Sequence, residues 1–113
     1  MNHTESNTQI ACVRWFYHQF PNEILFAVPN GGHRNKTTAA ILKAEGVLAG
    51  APDLILIAIR GNYGALCIEM KTPTGRQSDS QKWFQGMAEA KGYKYVICRS
   101  FEEFKNEVEN YLL

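Results

Sequence analysis

Apolar residues recur along this chain with two different periods, and the changes of period mark out its elements. Over Thr4–Phe20 the residues Ile10, Val13, Tyr17 and Phe20 stand three and four apart, the spacing of one helix face. Pro21 and Asn22 stop that helix, and Leu25–Val28 follows as a short apolar strand. After the loop PNGGHRNK, Thr37–Glu45 reads as a short helix closed by Gly46. Leu54–Ile59 is a run of six apolar residues, as expected of a strand covered on both faces. The turn RGNYG leads into Ala65–Lys71, a second strand that should pair with it as an antiparallel hairpin.

Ser78-x-x-Gln81 has the form of a capping box. It opens a helix with Phe84, Met87 and Ala88 on the apolar face and Gly92 at the end. Lys94–Cys98 is a strand, and Ser100-x-x-Glu103 caps a last helix carrying Phe104, Val108 and Tyr111 or Leu112 on one face. The order α-β-α-β-β-α-β-α predicts an α/β fold, a mixed β-sheet of about four strands flanked by helices. The helix between Lys71 and Lys94 is then a right-handed crossover. With 113 residues and no repeat or linker, a single domain over 1–113 is expected.

One stretch resists this pattern. In CIEMKT, residues 67–72, an otherwise apolar strand carries Glu69 and Lys71. Burying an unpaired charge is costly enough that the group usually neutralises instead. Alternation puts Ala65, Cys67, Glu69 and Lys71 on one face and Leu66, Ile68 and Met70 on the other. Folding the hairpin about Asn62 sets Asp53 opposite Lys71, with Glu69 as its diagonal neighbour. A slip of one residue would send Asp53 to the opposite face. In this register two carboxylates converge where the backbone carbonyl of Met70 adds a third oxygen, a donor set suited to Mg²⁺. Lys71 stands ready to orient or deprotonate a water, and metal-assisted phosphodiester hydrolysis is the chemistry implied. An ordinary reading stays open beside it: Glu-x-Lys at a strand end is commonly two solvated residues, and Asp after Pro commonly opens a strand.

Composition narrows the setting more than the chemistry. Lys and Arg number 12 and Asp and Glu 11, a net charge of +1, so a nucleic-acid surface would have to come from charge distribution. Cys12, Cys67 and Cys98 are widely spaced, with no Cys/His cluster for zinc, and read as reduced thiols in a cytoplasmic compartment. The polar start MNHTESNTQ predicts no signal peptide, and no apolar run approaches the roughly 20 residues of a membrane span.

Taken together, GAPDLILI followed by CIEMKTPTGRQSDSQ resembles the PD-(D/E)xK nuclease superfamily. Within it the chain is similar to the VRR-NUC (virus-type replication-repair nuclease) family, especially its stand-alone viral members, over nearly its whole length and including the FAVPNGGHRN loop. For a viral protein the compartment becomes the host-cell cytoplasm. The resemblance implies that Asp53 and Glu69 are the two metal-binding acids, Lys71 the catalytic lysine and Gln81 the glutamine at the start of the following helix. The family places an acid on its first helix, and Glu5, just ahead of Gln9, is the only one there. Its place near a helix start equally suits the helix dipole. Gln81 has a competing duty as the third residue of the capping box, the two roles being compatible if its amide turns from backbone to site. The resemblance further implies dependence on Mg²⁺ or Mn²⁺, action on branched DNA such as four-way (Holliday) junctions, and a homodimer. Two-fold symmetry also suits symmetric incision of two strands.

Phosphate contacts are expected from Arg34, Lys36, Lys43, Arg76 and Lys82, with Asn30, Gly31 and Gly32 letting backbone approach a phosphate closely. For each, a solvated surface residue is the commoner outcome. Trp15, Trp83, Tyr63 and Phe101 either stack on bases or pack internally. The rivals to a structure-selective endonuclease are a DNA-binding module of the same fold without cleavage, a flap- or nick-directed nuclease, a structural protein with a salt-bridge network, and a small-phosphoester hydrolase.

Overall fold

A computed structural model describes residues 3–29 and 35–113, with side chains from residue 5 onward. The elements are α1 (His3–Gln19), β1 (Ile24–Ala27), α2 (Lys36–Ala44), β2 (Leu54–Ile57), β3 (Leu66–Met70), α3 (Asp79–Ala90), β4 (Lys94–Cys98) and α4 (Phe101–Leu112). Their order is the expected one. The strands form one mixed sheet in the order β1-β2-β3-β4, antiparallel except for the parallel β3–β4 pair that α3 connects.

One face of the sheet carries the core. Leu25, Leu54, Leu56, Leu66, Ile68, Met70 and Cys98 line it, and α1 and α4 close over it with Cys12, Phe16, Phe104, Val108 and Tyr111. The apolar stripe of α1 therefore centres on Cys12 and Phe16, with Val13 and Phe20 at its margins, while Ile10 and Tyr17 are more than a third exposed. Tyr17 has a different job. Its hydroxyl donates to the Leu25 carbonyl and accepts from the Leu25 amide at 3.0 Å, clamping β1 to the helix. The other face is only partly covered. There α3 packs against β4 and buries Ala88, but Met87 and Trp83 stay exposed over a groove that Ile55, Ala65 and Cys67 floor.

The hairpin register differs from that expected, for two local reasons. Leu54 pairs with Ile68, so the ladder extends to put Asp53 beside Glu69 rather than Lys71. The turn itself is tight, Arg60 and Tyr63 exchanging backbone hydrogen bonds across Gly61 and Asn62. Gly61 has φ 56°, and a glycine at the first central position is what a type II′ hairpin turn uses. Between that turn and the Leu56–Leu66 pair, residues 57–59 face only residues 64–65. The extra residue makes a bulge, closed by a hydrogen bond from the Ala58 amide to the Leu56 carbonyl at 3.2 Å. It also ends β2 at Ile57, and the Tyr111 hydroxyl donates to the Ala58 carbonyl at 2.6 Å. Recentring the turn and adding the bulge each shift the pairing by one residue in the same direction. Two such shifts restore the face, and Asp53 stays with Glu69.

Candidate active site

Asp53 sits where three strands come to an end. Its backbone carbonyl accepts from the Val28 amide at 2.9 Å, prolonging the β1 ladder, and its Oδ2 accepts from the Met70 amide at 2.7 Å. Gly50, three residues earlier, fixes the approach of this segment. A Cβ there would stand 2.2 Å from the Ser80 carbonyl oxygen, and φ is 89°, so only glycine lets the loop lie against the first turn of α3. The GAPD stretch is thus a strand entry pressed onto a helix start.

Glu69 is 3% exposed, the buried charged residue of the described chain. It lies on the central strand, and α3 begins beside it. Gln81 Nε2 donates to Glu69 Oε2 at 3.0 Å, while Gln81 Oε1 accepts from the Ser78 amide at 2.8 Å and Ser78 Oγ accepts from the Gln81 amide at 3.2 Å. Gln81 therefore completes the capping box and holds the glutamate at once. The expectation that its amide must turn between the two is corrected: a carboxamide has an acceptor for the backbone and a donor for the carboxylate.

Lys71 Nζ stands 4.0 Å from Glu69 Oε2, with its side chain 15% exposed. Its amide donates to the Cys98 carbonyl at 3.0 Å, so the backbone beyond β3 stays in register. Past it, Arg99 donates to the carbonyls of Thr72 (2.8 Å) and Gly75 (2.6 Å), pinning the loop that leads from Lys71 to α3. Arg99 is a supporting residue that no spacing in the sequence singles out.

Burial, a hydrogen bond shared with the Asp53 carboxylate and that carboxylate's charge raise the pKa of Glu69 to about 9, Lys71 opposing the shift and Glu5 adding to it. An acid this far above its usual range marks a place where negative charge lacks compensation. Glu69 Oε1 is buried and accepts no hydrogen bond from the described residues.

These groups line one cleft of about 440 Å³, which Glu5, Gln9, Val28, Asp53, Glu69, Met70, Lys71 and Gln81 share. The structure thus brings Asp53, Glu69, Lys71, Gln81 and Glu5 together. Among the described residues no three His, Cys, Asp or Glu side chains stand close enough together to form a metal cage. A hard cation such as Mg²⁺ does not require one, since it typically takes one or two carboxylates and keeps several waters. Asp53, the unpartnered oxygen of Glu69 and a strand-end carbonyl fit that demand. A second groove of about 790 Å³ shares Asp53 and Gln81 with the cleft and runs on between α2 and the start of α3, past Lys43.

The expected phosphate contacts are dispersed. Lys36, Arg76 and Lys82 are exposed and line neither hollow, whereas Lys43 does line the second groove. Arg34 and Asn30, with Gly31 and Gly32, lie outside the described residues. Trp15 packs edge-on against Phe20, Phe101 and Phe104, which settles Trp15 and Phe101 as packing residues. Gln9 carries no motif, being an amide on a helix; its place four residues after Glu5, on the same helix face, is the sequence signal for it.

The chain's three cysteines are buried and free, and no described helix is long and apolar enough to cross a membrane. No curated protein matches the chain in sequence. The family model for the VRR-NUC domain matches residues 3–102. A solved structure described as a VRR_NUC domain protein superposes with a TM-score of 0.84 at 27% identity, covering 99% of this chain and 90% of that one. The chain belongs to the VRR-NUC family, a nuclease-type family of DNA-processing proteins.

Proposed function

We propose that the protein is a divalent-cation-dependent endonuclease that hydrolyses phosphodiester bonds in branched DNA, four-way junctions foremost. The observation that carries this reading is the buried Glu69 carboxyl, one oxygen of which accepts no hydrogen bond, in one cleft with Asp53 and Lys71. Asp53, Glu69 and the Met70 carbonyl would hold Mg²⁺ or Mn²⁺. Bound there, the cation lowers the pKa of a water and offsets charge on the phosphate under attack.

The chain's own groups set the stage for that chemistry. The Met70 amide aims the Asp53 carboxylate, and Gln81 fixes the Glu69 carboxylate from the other side. Lys71 lies in the same cleft, where its ammonium stabilises negative charge developing on the phosphate, or its amine takes the proton of the attacking water. Glu5 contributes a further acid from α1. The adjoining groove gives a strand of nucleic acid a path past the cleft, with Lys43 beside it. Lys36, Arg76 and Lys82, with Arg34 and Asn30, supply phosphate contacts farther out. An open path of this kind suits a polymeric substrate better than a small phosphoester, which favours an enclosed pocket.

The homodimer belongs to the same reading. Ile24 and Ile57 pair on the sheet face that α3 leaves open and are each more than half exposed, next to the apolar groove under Trp83. Exposed apolar side chains grouped on one sheet face suit a second copy.

The test is cleavage of labelled four-way, flap and linear duplex DNA with Mg²⁺, Mn²⁺ or EDTA, by wild type, Asp53→Ala and Lys71→Ala. Junction cleavage that needs the cation and vanishes in both variants is expected. Wild-type inactivity on every substrate sinks the proposal, and tight DNA binding without cleavage replaces it with a binding module.

A further inference from the structure

Two buried side-chain oxygens among the described residues accept no hydrogen bond, and they are neighbours in function rather than scattered defects. One is Glu69 Oε1 and the other is Gln9 Oε1. Both residues line the same cleft, from opposite sides: Glu69 from the central strand and Gln9 from α1. A buried amide oxygen without a donor costs about 1–3 kcal/mol, so a helix residue free to be leucine would gain by the change. Gln9 follows Glu5 by one helical turn, which sets the two on one face toward the cleft. The missing partner must be a donor, and the cleft contains a carboxylate oxygen that wants one too. Lys71, the ammonium lining this cleft, lies beside Glu69.

We propose that Gln9 is a positioning residue whose Oε1 accepts a hydrogen bond from a water of the divalent cation held by Asp53 and Glu69. This rests on the metal-dependent reading given above. A cation that keeps most of its hydration shell presents water protons outward, and a neutral amide oxygen receives them without adding charge beside the acids. An acceptor of this kind orients the hydrated ion and leaves the carboxylates to bind it directly. Outer partners of bound metals are commonly worth about 10–100-fold in affinity.

The experiment measures Mn²⁺ binding to the full chain without DNA, by calorimetry and by the electron-paramagnetic signal of free Mn²⁺. Unfolding temperatures in EDTA are taken in parallel. Gln9→Leu should weaken Mn²⁺ binding by about tenfold while the metal-free protein melts no lower than wild type. Gln9→Glu should bind Mn²⁺ at least as tightly as wild type, since it keeps the acceptor and adds charge. Where Gln9→Leu does not fold, Gln9→Met carries the same comparison. Mn²⁺ affinity in Gln9→Leu within about twofold of wild type overturns the inference and leaves the metal reading standing. Absence of Mn²⁺ binding in the folded wild type overturns the metal reading and this inference with it.

Discussion

Toward α1 and α4 the central strand β3 presents Leu66, Ile68 and Met70, each buried in a continuous apolar layer. Toward α3 the same five residues present Cys67 and Glu69, and beyond Cys67 lies a groove that none of the described residues fills. One strand serves both faces because alternation separates them. The face toward α1 and α4 fixes the position of the backbone, and the other spends that fixed position on a carboxylate with an unpartnered oxygen. The site is thus held by packing it takes no part in. Stability and chemistry should therefore respond to different substitutions on one five-residue strand and its neighbours.

The largest effect is expected on the chemical side. Asp53→Asn keeps an oxygen for the Met70 amide and removes the charge, so DNA cleavage should fall by about a thousandfold or more, roughly 4 kcal/mol in the barrier. The folded state should lose at most about 1 kcal/mol in urea denaturation. A variant that loses stability in step with activity would break the separation. On the core face the pattern reverses. Phe16 and Phe104 are fully buried, and truncating either to alanine should cost about 3–5 kcal/mol while the surviving folded protein cleaves at a near-normal rate.

Glu69 is where the two sides meet, and pH resolves them. With its pKa raised to about 9, the metal-free folded protein holds a proton there that the unfolded chain has already released. Unfolding therefore releases a proton between the ordinary carboxylate range and about 9. The stabilisation is complete below that range and is lost as pH rises toward 9, with Asp53, Glu5 and Lys71 as the charged neighbours. Glu69→Gln should remove this dependence. In EDTA the variant should match wild type near pH 5 and exceed it by about 1–3 kcal/mol near pH 8.5. Parallel stability curves for the two proteins across that span would show that Glu69 is compensated in a way the structure does not contain.

Most elements were legible because their signals are local. The Ser78 capping box, the Ser100 cap, the Pro21 stop and the run at Leu54 act within a few residues, and the strands and helices fall within two residues of their expected ends. The second box is only half formed, because Glu103 accepts from the Arg99 amide rather than from that of Ser100. The convergence of Asp53 on Glu69 was legible for a less direct reason. The expected register was off by two residues, and an even error preserves the face. The bulge at residues 57–59 was not legible, since it depends on Tyr111 arriving from the last helix to bond the Ala58 carbonyl. The same limit applies to the hydrogen bonds of Arg99 and to the place of Gln9 in the cleft, which exist only after distant segments meet. Met87 was expected on a buried face and is exposed, because the sheet beneath it is left as an open groove.

The smallest effect separates the two tryptophans. Trp15 and Trp83 both sit at helical spacing among apolar residues, and sequence treats them alike. Trp15 meets three aromatic rings edge-on between α1 and α4, whereas Trp83 is 53% exposed at the rim of the open groove. Trp15→Ala should cost about 3 kcal/mol in urea denaturation at any protein concentration. Trp83→Ser should change the stability of the dilute monomer by less than about 1 kcal/mol. Its effect should emerge only as concentration rises, because what Trp83 adjoins is the face proposed for a second copy. A concentration-independent loss at Trp83 as large as that at Trp15 would mean that the groove is closed within one chain, and the contrast between the two faces of the sheet would fall with it.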